Sequence, residues 1–443
     1  MNLIKKTIKD SLKTPGFTVL YIIGVAFTIA FTIIYGILLY GQLGPVYPEY
    51  DRNHTAYIDM AVIRQKWGTS SQALGQPFVE EFLRDSVKSI ESMTALIGYH
   101  SGDNMVQPTD GSEEFPVYAV AVEPSFFDFY KYEFKAGAPF TQDDFDAKAR
   151  TVVISDKVAR RLFPTPEEAI GEKITIDYKE YPVVGVFREG SAMCMDSYGE
   201  VFMPYSRSLR NYHSEWPEQY MGSLKAVLKV RPGMESRLRE EIQDICRRIN
   251  LVDTAAPKFY IPRIESHVEH VLAPVEIDYK NEEFVIAEAT SPLRLWRPFF
   301  IALLVVLVIP ALNISGLIAA RMDRMQAEIG IRRGFGATKR QLIGMVMREN
   351  LVLTLTGGVI GLILAWIITS TAGNFLLQLT PMGNFSSSSF GDNSSIVTGE
   401  MAFAPLLFVA ALAICLVLNI ISAWIPARRA MSRQITESIN SNR

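Results

Sequence analysis

The chain has 443 residues, 49% hydrophobic and 21% charged, with a formal net charge of -3 and a mean hydropathy of +0.14. Charge this close to balance gives no support for nucleic acid as a partner, and none is expected. Three cysteines, Cys194, Cys246 and Cys415, are too few for a disulfide-built scaffold. Cys194 and Cys246 are a candidate pair in an oxidising compartment, and their spacing leaves pairing and free thiols both open.

In chain order, residues 1–16 place Ile4, Ile8 and Leu12 at four-residue spacing among Lys5, Lys6, Lys9 and Lys13. That pattern predicts a cytoplasmic amphipathic helix lying in the membrane interface, broken from the next segment by Pro15 and Gly16. Residues 17–41 then hold no charged side chain. A helix needs roughly 20 apolar residues to cross the hydrocarbon core, so this is a first span. The run exceeds a signal-peptide core and no small-x-small cleavage site comes after it, so it is expected to be retained. Three more spans are expected over 296–320, 349–377 and 401–426.

Between the first two spans, residues 42–295 are long enough for a folded body with its own core. Acidic residues outnumber basic ones there, and all five histidines fall within it. A helix is expected from Phe78 to Met93, with Phe82, Leu83, Val87 and Ile90 inward. Thr151 to Ser155 predicts a buried strand whose Ser155 caps the helix DKVARRLF, and Lys173 to Phe187 a hairpin turning near Lys179 and Glu180. Leu224 to Val230 predicts a strand, followed by a helix with Leu238, Ile242, Ile245 and Ile249 on one face. The sum is an α+β domain.

Three groups in it have donor chemistry. His267 and His270, with Glu265 and Glu269, offer metal-ligand atoms but are expected to lie on a solvated loop. Met193, Cys194 and Met195 gather soft sulfur of the kind copper(I) takes, although a loop with adaptable apolar side chains explains them as well. Asp143, Asp144 and Asp146 lack the glycine and bidentate glutamate of a calcium loop and predict a charged surface turn. No catalytic, cofactor or metal site is assigned.

Past the second span, residues 321–348 form a short basic stretch. RMDRMQAEIGIRR is helix-compatible, Gly334, Phe335 and Gly336 allow a tight reversal, and Thr338 with Gln341 forms a capping box. The expected product is a basic helical hairpin; spacing leaves open whether it is a lever or a solvated loop. In the third span Gly357 and Gly361 make a GxxxG helix-packing element, for contacts inside the chain or with a second copy. Residues 378–400 contain no Lys or Arg, whereas basic residues cluster before span one, in 321–348 and in the tail 427–443. By the positive-inside rule both termini and the middle loop are cytoplasmic, and 42–295 lies outside. The expected architecture is a membrane protein with four transmembrane α-helices and a large α+β extracytoplasmic domain inserted between helices 1 and 2.

The run from Asn313 to Ala365, above all EIGIRRGFGATKRQ at Glu328 to Gln341, resembles the permease module of the MacB/FtsX/LolC/LolE superfamily. PARRA at Pro426 to Ala430 looks like the family's ending, and VVISDKVARRLF with the hairpin ending VVGVF looks like pieces of a MacB-like periplasmic core. The resemblance implies a subunit of a type VII ABC transporter in the bacterial inner membrane, paired with a second permease copy or paralogue on ABC ATPase subunits. It further implies that Glu328, Ile329, Ile331, Arg332, Arg333 and Phe335 couple the chain to the ATPase, whose motion reaches the periplasmic domain by mechanotransmission. A periplasmic adaptor or outer-membrane channel belongs to the same picture.

The sequence has no G-x-x-x-x-G-K-[ST] phosphate loop, so ATP and magnesium are expected on a separate partner chain and no cofactor on this one. MacB-type permeases extend spans one and two outward as helical stalks. Here Gly44, Pro45 and Pro48, and on the return Pro292 and Pro298, argue against a tall stalk. The expected function is export or extraction of a hydrophobic or peptide-like cargo, driven by the partner ATPase. The alternative is an FtsX-like transducer that regulates a periplasmic partner without transport. An ectoenzyme fits worst, because no nucleophile–base pair stands out.

Overall fold

Twenty-nine uncharged residues, Pro15–Leu43, form α1. The structure, a computed structural model, describes residues 15–66, 68–97, 104–108, 113–207, 217–272, 291–372 and 405–432. The expected interfacial helix, the 378–400 loop and most of the tail lie outside the described residues.

Next come β1 Thr55–Ile58, β2 Ala61–Gln65, β3 Gly68–Leu74, α2 Phe78–Arg84 (a π-helical segment), β4 Ile90–Ile97, β5 Asn104–Gln107, β6 Phe115–Val117 and β7 Ala119–Val122. They are followed by α3 Ser125–Phe129, β8 Phe134–Gly137, α4 Gln142–Asp146, β9 Val152–Ser155, α5 Asp156–Leu162, β10 Lys173–Ile176, β11 Lys179–Phe187 and β12 Val201–Pro204. The series closes with β13 Met221–Gly222, β14 Leu224–Val230, α6 Glu235–Val252, β15 Lys258–Tyr260, β16 Glu265–Ser266 and α7 His267–Leu272. Then come α8 Pro292–Arg324, α9 Gln326–Gly334, α10 Lys339–Thr371 and α11 Pro405–Ser432.

The described residues divide into two compact units, one from Tyr40 to Leu295 and one holding α1 up to Leu39, α8 from Trp296, and α9 to α11.

In the first unit the described strands join one mixed sheet, whose path runs β15-β2-β3-β14-β4-β7-β12-β9-β11-β10-β5-β6. β1 lies off this path, antiparallel to both β14 and β16. Two pairs are parallel, β9 with β11 and β7 with β12. One core forms where the apolar stripe of α6 and the α2 segment meet the sheet, with Leu238, Ile242, Ile245, Phe78 and Leu83 buried. A second is aromatic, built on Phe126, Phe127, Phe140, Phe187 and Phe202. Ser155 caps α5 as its position predicts, its Oγ accepting from the Val158 N–H at 3.2 Å.

Two local expectations are corrected. The helix expected to Met93 stops at Arg84 and β4 begins at Ile90. Glu241 of α6 accepts from both the N–H and the Oγ of Ser89, and β14 pairs along β4, so tertiary partners override the helical stripe. The hairpin turns at Asp177 and Tyr178, not at Lys179 and Glu180. Both turn residues have positive φ, 47° and 64°, the geometry that matches strand twist in a two-residue loop. The Asp177 carboxylate holds it by accepting from Asn104 Nδ2 and the Met105 N–H. Asp143, Asp144 and Asp146 sit on α4, a short helix started by a capping box between Thr141 and Asp144.

In the second unit, α1 and α10 are the described helices long and apolar enough to cross a membrane. α8 runs through Pro298 and Pro310 without interruption. Proline is tolerated in membrane helices because neighbouring groups re-satisfy the freed carbonyls. Pro298 therefore lies inside a continuous helix, and α1 ends at Leu43, just before Gly44 and Pro45.

Candidate functional site

The hairpin is built locally. α9 ends in a basic turn holding Arg332 and Arg333, and Gly336 at φ +93° lets the chain reverse. The Gly336 and Ala337 N–H groups donate to the carbonyls of Arg333 and Arg332, both at 3.0 Å. Thr338 then starts α10: its N–H donates to Gln341 Oε1 at 2.9 Å, and its Oγ1 accepts from the Gln341 N–H at 3.3 Å. Both helix ends are thus satisfied by residues a few positions away, which makes the reversal stiff.

On this frame Ile329 is buried, at 1% exposure, whereas Ile331 is 54% and Phe335 91% exposed. Arg332 donates to Glu328 one helical turn back and to Met345 Sδ on α10. Arg333 lies half-buried on the same turn. The hairpin thus presents an aromatic ring at its tip, flanked by a fixed charge pair. On α10, a Cβ added at Gly357 would stand 2.8 Å from Val25 Cγ1, and one at Gly361 would stand 2.5 Å from the Ala26 carbonyl oxygen. Both glycines therefore face α1 within the chain, and only hydrogen fits there.

Sequence reasoning did not find the second constellation, which lies in the first unit, Tyr40 to Leu295. Arg52 is 3% exposed and all its nitrogens are engaged. Nε donates to Glu49 at 2.7 Å, Nη1 to the carbonyls of Gly41 and Gly44 at 2.8 and 2.7 Å, and Nη2 to Cys194 Sγ at 3.1 Å. Glu49 also accepts from Ser197 Oγ at 2.6 Å. His267 Nε2 lies 2.8 Å from the Gln42 carbonyl and Nδ1 lies 2.9 Å from Tyr57 Oη. A carbonyl only accepts, so Nε2 carries the proton and Nδ1 accepts from the tyrosine. Burial holds the His267 pKa down, consistent with that neutral ring.

His270 behaves in the opposite way. Burial alone would lower its pKa, but Asp196 and Asp59, with hydrogen bonds to Asp196 and Glu265, hold it well above the usual value. Its nitrogens meet Asp196 and Glu265, each at 2.8 Å, and its ring stacks on Tyr57 with centroids 4.2 Å apart. Lys225 bridges Asp59 and Asp196 at 3.1 and 3.3 Å, and Arg263 reaches Glu265 at 3.1 Å. Three carboxylates, Asp59, Asp196 and Glu265, are therefore balanced by Lys225, Arg263 and a protonated His270. Opposite charges in equal number are what make such a cluster tolerable away from water, although Asp59 Oδ1 and Arg263 Nη2 have no hydrogen-bond partner among the described residues.

The solvated loop expected for His267 and His270 is overturned. His267 is buried between partners from two distant segments, Tyr57 and Gln42, and His270 is half-buried between nearby Glu265 and distant Asp196. Cys194 and Cys246 are buried free thiols, so they are not a pair. Burial raises both thiols, Cys246 to about 12, which keeps them protonated. Among the described residues no group of His, Cys, Asp and Glu could hold a metal ion. In sequence the only trace of the constellation is the three-residue spacing of Glu49 and Arg52 and of the two histidines. Neither spacing is specific.

A family model described as MacB-like periplasmic core domain matches residues 18–257, and one described as FtsX-like permease C-terminal matches residues 300–435. The chain belongs to the MacB/FtsX-like family of ABC transporter permeases. This permease family is an inner-membrane transport component with a periplasmic α+β domain. Among curated relatives, the macrolide export ATP-binding/permease protein MacB of Escherichia coli K12 is 26% identical over 316 residues, covering 70% of this chain and 41% of that one. The MacB of Shigella flexneri matches to the same extent. The permease thus spans well under half the length of these relatives. Among solved structures, the periplasmic region of MacB from Actinobacillus actinomycetemcomitans aligns with TM-score 0.34 and 16% identity, over 49% of this chain and 90% of that one. The extracellular domain of the noncanonic ABC-type transporter YknZ from Gram-positive bacteria aligns with TM-score 0.33 and 14% identity, over 46% and 97%.

Proposed function

We propose that this permease transmits motion from an ABC ATPase on a separate chain to its own extracytoplasmic domain, using the α9–α10 hairpin as the point of attachment. In this reading α1, α8, α10 and α11 are four spans in a bacterial inner membrane, with both termini and the hairpin cytoplasmic. The observation that carries it is the hairpin tip: Phe335 is 91% exposed on a reversal capped from both sides. A large exposed aromatic ring on a stiff support suits insertion into a partner's groove, and exposed apolar surface of this kind marks interaction sites. Glu328 and Arg332 set the charge beside the ring, Ile331 and Arg333 widen the contact, and buried Ile329 anchors the helix. ATP and magnesium belong to the partner. Dimerisation with a second copy or paralogue, a periplasmic adaptor or outer-membrane channel, and a hydrophobic or peptide-like cargo complete the proposal. The naming of MacB relatives for macrolide export supports the cargo class.

The test places a photocrosslinking residue at Phe335 in the full chain in its native membrane and identifies the captured chain by mass spectrometry. Capture of an ABC ATPase subunit is expected. Capture restricted to lipid, with Phe335→Ala leaving ATP-dependent activity intact, would remove the hairpin from the coupling path.

A further inference from the structure

The last four carbonyls of an α-helix have no partner within the helix, and a helix commonly finishes with a local glycine turn or in water. α1 ends differently. The Tyr40 carbonyl is closed locally, accepting from the Gly44 N–H at 2.8 Å. Gly41 and Gly44 give their carbonyls to Arg52, and Gln42 gives its carbonyl to His267. Neither donor can swing away. Arg52 is held by Glu49 and Cys194, with Glu49 itself held by Ser197. His267 is held by Tyr57, whose strand β1 pairs with both β14 and β16. A cationic guanidinium against these carbonyls also complements the negative end of the helix dipole. A planar fork touching four acceptors fixes direction as well as distance, which a lysine cannot do.

We infer that Arg52 and His267 are positioning residues forming the rigid joint through which displacement of α1 is passed to strand β1 and the sheet behind it. The inference rests on the coupling function proposed above and says where the motion enters the external unit. The joint works by leaving the end of α1 no freedom to fray or pivot: a push on the helix moves β1 instead of being absorbed in loose carbonyls. Cys194 enters as a buried, protonated thiol that seats one arm of the guanidinium, which gives that cysteine a role without any redox chemistry.

The experiment uses the full chain in nanodiscs, in complex with the ATP-binding subunit that copurifies with it. Spin labels at Leu251→Cys in the external unit and Val359→Cys on α10, both exposed positions, report their separation by pulsed electron paramagnetic resonance. Addition of Mg-ATP and vanadate is expected to shift the wild-type distance. Arg52→Gln and His267→Phe are expected to lose that shift while ATP hydrolysis continues, and Arg52→Lys to recover only part of it. Amide exchange at residues 41–44 should rise about tenfold in the same variants. A wild-type shift retained in both variants overturns the joint. No shift in the wild-type chain overturns the coupling function itself, a separate result. If Arg52→Gln and His267→Phe fail to fold, Ser197→Ala and Tyr57→Phe take their place. Each deletes one supporting hydrogen bond and is expected to shrink the shift, and an unchanged shift in both again overturns the joint.

Discussion

α1 and α10 each have one terminus outside the apolar run, and the two are finished by opposite means. The N-terminus of α10 is closed by Thr338 and Gln341, three residues apart. The C-terminus of α1 is closed by Arg52 and by His267, the latter 225 positions from the carbonyl it meets. A local cap stabilises its own turn and little else. A cap borrowed from across the domain binds the helix to everything that holds the donor, so its loss spreads. The hairpin end is built to be self-sufficient and exposed, the α1 end to be buried and dependent.

Arg52→Ala should therefore cost the most, on the order of 3–5 kcal/mol, because it leaves Glu49 buried without its cation. Chemical unfolding of the full chain in detergent would measure it, and a cost below that of a surface substitution would break the contrast. Gly361→Val comes next, at about 1–3 kcal/mol, since its Cβ alone would meet the Ala26 carbonyl. A wild-type melting temperature would show that α1 and α10 can part.

The histidines sharpen the contrast through pH. His270 has a folded pKa above the ordinary 6.5, so its contribution is full below about pH 6.5 and is lost as pH rises through the folded value. His267 has a folded pKa below 6.5, so its contribution is present above that value and is lost as pH falls. Melting temperature between pH 5 and 8 should decline on both sides of about 6.5. His270→Gln should flatten the alkaline limb and His267→Gln the acid one. Identical profiles in wild type and both variants would mean that neither proton is linked to folding.

Thr338→Ala should cost only about 1 kcal/mol, the worth of a typical N-cap. The smallest stability effect, about 0.3–0.5 kcal/mol, is expected of Glu328→Ala, which removes one exposed intrahelical pair. That variant should nevertheless uncouple ATP turnover from transport. A larger loss of stability at Thr338 than at Arg52 would reverse the comparison outright.

Elements whose causes are near in sequence were legible from the order of residues alone. The α6 stripe, the Ser155 cap, the strand at Leu224–Val230 and the Thr338 capping box depend on neighbours within a helical turn or a strand. The exchange of helix for strand at Ile90 did not announce itself, because Glu241 and β14 decide it from far along the chain. The hairpin turn was misplaced by two residues, since Asp177 and Tyr178 adopt positive φ without glycine and are held there by contacts from β5.

The candidate sites divide along the same line. By itself the sequence determined the membrane character, the α+β domain between apolar runs, the basic hairpin and its cap, because composition and short-range periodicity carry those. Only the tertiary structure decided that two histidines expected in solvent are enclosed by partners that keep one neutral and the other protonated, that Cys194 seats an arginine, and that α1 ends against Arg52 and His267. A buried polar group is stable only with a partner, and these partners come from segments whose meeting no local pattern encodes.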